Sequence, residues 1–79
     1  KMIIETIDAG GIPEGAYAAG LGDIASAHPD LSIGSYPSFA DGKFKNQIVV
    51  RGKDAAVVAS GLDKVNAMLA ALRTAHKGA

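Results

Sequence analysis

Apolar and polar positions alternate along two stretches of the chain and recur at helical spacing along two others. From Phe44 to Arg51 the alternation is cleanest: Phe44, Asn46, Ile48 and Val50 fall on one side, Lys45, Gln47, Val49 and Arg51 on the other. A period of two is that of a strand with one buried face. The first set is the expected core face, with Asn46, near the turn, as its polar exception. Leu31 to Tyr36 alternates too, Leu31, Ile33 and Ser35 against Ser32, Gly34 and Tyr36, and Pro37 is expected to stop it. Ser38 to Lys43, punctuated by Asp41-Gly42, reads as the turn joining these two strands into a hairpin. Met2 to Ile7 is a further short, Ile-rich strand, closed by Asp8-Ala9-Gly10-Gly11.

The helical stretches have a spacing of three to four. Tyr17, Leu21, Ile24 and His28 share one face of a segment that opens at Pro13-Glu14 and ends before Pro29. Proline suits the first helical position because its missing N–H would be unpaired there. Gly20 and Gly22 each weaken that helix by about 1 kcal/mol relative to alanine, a cost best explained by a neighbouring backbone packed close. Asp54 is an expected N-cap, followed by the stripe Val58, Leu62, Val65, Leu69 and Leu72. The tail, His76 to Ala79, is expected to fray. The order is βαββα, an α+β fold. Its simplest packing is a three-stranded sheet, with the third strand central and antiparallel to both others and both helices on one face. That is a ferredoxin-like plait without its last strand. The uncovered face would carry Tyr36, Lys45, Gln47, Val49 and Arg51.

Composition narrows the function more than the fold. With 79 residues there is room for one domain, spanning 1–79. Eight basic residues balance eight acidic ones, so the basic excess that drives nucleic-acid binding by counterion release is missing, and no nucleic-acid partner is expected. With no cysteine, thiolate chemistry, disulfides and Cys-ligated zinc are excluded, and a reducing, cytoplasmic setting is favoured. No uninterrupted apolar run approaches the length of a membrane span, so no membrane association is expected. Lys1 ahead of Met2 suggests an excised piece of a larger protein.

Candidate chemistry is sparse. Gly10-Gly11-Ile12-Pro13-Glu14-Gly15 stands where a helix N-terminus could hold an anion, but Pro13 removes a donor, Glu14 repels phosphate, and no phosphate-loop or dinucleotide pattern is present. His28, at a helix C-terminus, suits carbonyl capping better than metal binding, which needs clustered ligands. Asp30, Asp41 and Asp54 read as turn and cap residues. Ser35, Ser38 and Ser60 have no base nearby in sequence to make them nucleophiles. Neither a catalytic residue, a cofactor site nor a metal site is assigned. Gly34-Ser35-Tyr36-Pro37 is the one idiosyncratic run, in which proline holds Tyr36 extended.

Three segments together carry a resemblance: Gly11-Ile12-Pro13-Glu14 before the first helix, His28 to Pro37 with Ile33-Gly34-Ser35-Tyr36-Pro37 at its heart, and Gln47 to Asp54 with Arg51-Gly52-Lys53-Asp54 entering the last helix. Over roughly Ile4 to Leu72, the chain resembles the small region that follows the molybdopterin-binding-like domain in competence/damage-inducible protein A relatives and in FAD-synthase-type molybdopterin-binding proteins. In that family the pterin- or nucleotide-handling pocket belongs to the preceding domain, so no catalytic residue carries over. Gly34, Ser35, Tyr36 and Pro37 carry over only as a family signature, with Val49 beside them as a candidate contact residue on the open face.

The resemblance implies a non-catalytic accessory domain, packed on its parent domain or on a second copy. A free-standing ferredoxin-like module for a small effector is the alternative. A KH-type nucleic-acid binder ranks last of the binding modules, because Gly11-Ile12-Pro13-Glu14 is no match for a basic Gly-x-x-Gly loop between two helices.

Overall fold

The computed structural model describes the backbone of residues 1–78 and the side chains of all of these except residues 40, 44 and 76–78. Five elements follow in the expected order: β1 (Ile3–Gly10), α1 (Glu14–Ala27), β2 (Ser32–Ala40), β3 (Lys43–Gly52) and α2 (Ala55–Gly78). The sheet order is β1-β3-β2. Both outer strands run antiparallel to β3.

The register follows the alternation. Ile7 pairs with Ile48 and Ile33 with Val50, which places these four on the side of the helices. Thr6 and Gly34 flank Val49, and Asp8 and Tyr36 flank Gln47, on the other side. The buried core consists of Ile48 and Val50 from β3, Ala9 from β1, Tyr17 and Leu21 from α1, Leu31, and Val58, Val65 and Leu69 from α2. Leu62 and Leu72 complete the α2 stripe at the edge of this core.

Several local expectations need correction. Pro37 does not stop β2, which runs on to Ala40. β2 is an edge strand, and an edge tolerates a residue without an N–H. The hairpin turn is therefore only Asp41-Gly42, both with positive φ, 54° and 74°, the two-residue turn whose twist matches that of its strands. β1 also continues past Ile7, with an irregularity in its pairing between Asp8 and Gly10. Pro13 is the N-cap of α1 rather than its first helical residue. A Cβ on Gly20 would lie 2.6 Å from Met68 Sδ, so what approaches is a side chain and not a backbone, while Gly22 has open space around it. The frayed tail expected for 76–79 falls on side chains outside the described residues, although α2 runs to Gly78.

α2 itself departs from the sequence reading. From Ala55 to Ala75 it is long and apolar enough by composition to cross a membrane. Counting uninterrupted apolar runs overlooked this, because isolated polar residues punctuate an otherwise Ala- and Leu-rich helix. Of that apolar window 22% is buried, including Val58, Val65 and Leu69 against the sheet and α1, and Asp63 and Lys64 are exposed at mid-helix.

Polar contacts cap the helices and join elements distant in the chain. Asn46, the polar exception on the core face of β3, donates from Nδ2 to the Ile12 carbonyl at 3.1 Å and so pins the loop between β1 and α1 as it crosses the sheet. Asp54 Oδ1 accepts from the Ala56 and Val57 amides at 2.8 and 3.3 Å, the expected cap of α2. His28 caps α1: its Nδ1 donates to the Ile24 carbonyl at 2.9 Å, and its Nε2 lies 3.1 Å from Ser60 Oγ on α2. A carbonyl can only accept, so Nδ1 carries the proton, and in the neutral ring Nε2 accepts from Ser60.

Candidate interaction surface

The side of the sheet away from the helices presents Ile4, Thr6 and Asp8 from β1, Lys45, Gln47, Val49 and Arg51 from β3, and Ser32, Gly34, Tyr36 and Ser38 from β2. Ile4 is 58% and Tyr36 49% exposed, large values for such apolar bodies. Ile4 lies opposite Arg51 and Tyr36 opposite Gln47, so the face is mixed rather than oily.

The Gly34-Ser35-Tyr36-Pro37 run divides between the two faces. Gly34 and Tyr36 lie on the open face, where a Cβ built on Gly34 would come within 3.0 Å of Tyr36 Oη and 3.2 Å of its Cε1 and Cζ. The phenol ring thus folds back along its own strand into the place a side chain on Gly34 would take. Gly34 pairs directly with Val49, so the ring fills the site opposite Val49. Ser35 points the other way, with its Oγ 2.6 Å from the hydroxyl of buried Tyr17. Pro37 pairs with Asn46 on the helix side of the edge strand and is exposed. The motif therefore sets one aromatic ring on the open surface and anchors its strand to α1 beneath.

Two concavities lie elsewhere. A cleft of about 610 Å³ opens between the start of α1 and the end of α2, lined by residues that include Ile12, Pro13, Ala16, Leu72 and Arg73. A smaller one, about 320 Å³, lies beside the Arg51-Gly52-Lys53-Asp54 run, with Met2 and Asp30 at its rim. Sequence reasoning found neither, since each is made by the ends of elements far apart in the chain. It also left Ser60 without a base, whereas the fold places His28 against it. The pair joins α1 to α2 and lines neither of these two concavities. Among the described residues no three His, Asp or Glu side chains cluster as metal ligands would.

The model for the FAD synthase middle domain matches residues 2–76. The chain belongs to that family. The match takes in the signature run, the hairpin and nearly all of α2, and it agrees with the FAD-synthase side of the resemblance carried by Ile33 to Pro37 and Arg51 to Asp54. No curated protein and no solved structure matches the chain. As a FAD synthase middle domain it is an α+β accessory unit of a larger FAD-synthase-type protein.

Proposed function

We propose that this middle domain is a non-catalytic packing module, and that its open sheet face docks on a molybdopterin-binding-like domain of the same protein, in an arrangement shared with competence/damage-inducible protein A relatives. The carrying observation is the Tyr36 ring laid over Gly34 beside Val49 and half exposed on the edge strand of a mixed surface. A ring whose position is already fixed loses little side-chain freedom on docking. Interfaces between domains of one chain are commonly of this mixed, partly polar kind. Gly34, Tyr36 and Val49 make the contact, and Ser35 and Pro37 set the strand that presents them. The domain itself takes no cofactor and turns over no substrate. It works in the cytoplasm, a setting supported by the cysteine-free sequence.

Hydrogen exchange on the full-length parent protein and on this chain alone tests the proposal. The amides of β2 and β3 should exchange more slowly in the parent, and Tyr36→Asp in the parent should remove that difference. Equal exchange in the two settings would overturn the docking reading.

A further inference from the structure

The chain leaves β1 by an irregular route. Between Asp8 and Gly10 its pairing with β3 skips Ala9, and Gly10 follows with a φ of 63°. A bulge of this kind bends a strand out of its ladder, and bulges are frequent beside functional sites. Here the bend and the loop after it form one wall of the cleft of about 610 Å³, and the end of α2 forms another. A Cβ built on Gly10 or Gly11 would meet nothing within 4 Å, so the first wall presents bare backbone to open space.

Ile12, Pro13, Ala16 and Leu72 give the cleft apolar sides, and Arg73 is the charged member among its described lining residues. Arg73 Nη2 donates to the Asp8 carbonyl at 3.3 Å, which steadies the guanidinium at the rim and leaves other N–H donors for a ligand. The acidic residues that flank this stretch do not line the cleft. Asp8 turns its Oδ1 to the Gly10 amide at 2.7 Å, and Glu14 follows Pro13 into α1. The volume falls within the roughly 300–1,000 Å³ of small-molecule sites, which combine apolar walls with a few polar groups that fix orientation.

We propose that this cleft binds a small organic acid, its apolar body against Ile12, Pro13, Ala16 and Leu72 and its carboxylate on Arg73. A guanidinium takes a carboxylate through two parallel hydrogen bonds, which sets direction as well as charge. A ligand with the same body and an ammonium head meets like charge at the rim, and one with a hydroxyl head forgoes the charge-assisted pair. The bound acid bridges the loop after β1 and the last turns of α2. This inference uses a surface separate from the sheet face and stands independently of the docking proposed for it.

Amide chemical shifts of the full chain, titrated in turn with decanoate, 1-decanol and decylammonium, test it. Decanoate should move the Gly10, Gly11, Ile12 and Leu72 amides saturably, bind tighter than decanol, and bind tightest of the three. Arg73→Gln should weaken decanoate by about tenfold, the loss of one charge-assisted pair, and leave decanol unchanged. Ala16→Trp, at an exposed position of α1, puts an indole in the cleft and should abolish both. Circular dichroism checks that each variant is folded, and the order of the three probes on the unaltered chain decides the matter if Arg73→Gln is not. Shifts that fail to saturate, or that gather on Thr6, Tyr36 and Val49 of the sheet face, would overturn the proposal. So would decylammonium binding as tightly as decanoate, or decanoate indifferent to Arg73→Gln or Ala16→Trp.

Discussion

Tyr17 and Ser35 share a hydrogen bond of 2.6 Å between the second turn of α1 and the underside of β2. Tyr17 is among the most buried large side chains, so its hydroxyl depends on this partner. Ser35→Ala should cost about 1–3 kcal/mol, because it strands the phenol. Tyr17→Phe should cost less, about 0.5–1.5 kcal/mol, because Ser35 is only partly buried. Urea denaturation of both single variants and of the double variant checks the order, and the double variant should be less damaged than the sum of the two.

Gly34 and Tyr36 support a prediction about geometry rather than stability. Gly34→Val puts carbon where the phenol ring now lies and should push that ring out to solvent. The amide and neighbouring proton shifts of Val49, on the paired strand, should then move toward values seen without an aromatic ring nearby. A Tyr36→Ala variant should move the same resonances the same way. Unchanged Val49 shifts in both variants would mean that the ring does not lie opposite it.

Ile48 and Val49 are neighbours with opposite fates. Ile48 is fully buried beneath the helices, and Val49 is partly covered on the open face. Ile48→Lys should unfold the chain, since it buries an unpaired charge. Val49→Lys should cost no more than about 1 kcal/mol, as substitutions outside the core usually do. Chemical denaturation of the two variants separates them clearly.

Gly61 on α2 is closed to any larger residue. A Cβ there would lie 2.5 Å from Leu31 Cδ1, and one on Gly52 would lie 2.5 Å from Leu31 Cδ2. Leu31 thus wedges its isobutyl group between the two glycines. Gly61→Ala should destabilise by about 1–3 kcal/mol through overpacking, outweighing the gain of about 1 kcal/mol in helix propensity. Adding Leu31→Val should restore part of the loss, measured as a recovered denaturation midpoint.

The full chain should not convert FMN and ATP to FAD, nor split a nucleotide pyrophosphate. Steady-state assays at high protein concentration check this. Turnover abolished by Ser60→Ala or His28→Ala would show that their 3.1 Å contact is chemical after all.

Much of this was legible in the chain, for identifiable reasons. The alternation from Phe44 to Arg51 set the register because a slip of one residue would turn Ile48 and Val50 out to water. Asp54 and the stripe from Val58 to Leu72 marked α2 in the same way. Pro37 misled because a proline's effect depends on whether its strand is central or at an edge, which is a property of the sheet and not of the residue. The larger cleft was invisible because its walls come from opposite ends of the sequence, as do Arg73 and Asp8. Within the signature run, the residues were recognisable but their division of labour was not. Only the register shows that Tyr36 faces outward over Gly34 while Ser35 reaches inward to Tyr17.

The strand order β1-β3-β2 also sets a timetable. β3 is the last of these three strands to leave the ribosome, yet it is the one to which both of the others are bonded. β1 and α1 must therefore wait without a sheet to pack on until the hairpin has closed at Asp41-Gly42. That closure is local and fast, and the recruitment of β1 across the intervening chain is the slow, high-separation step. A pause in synthesis before Gly52 would leave the Ile-rich β1 exposed, so the interval between these two events is when the nascent domain is most vulnerable to aggregation.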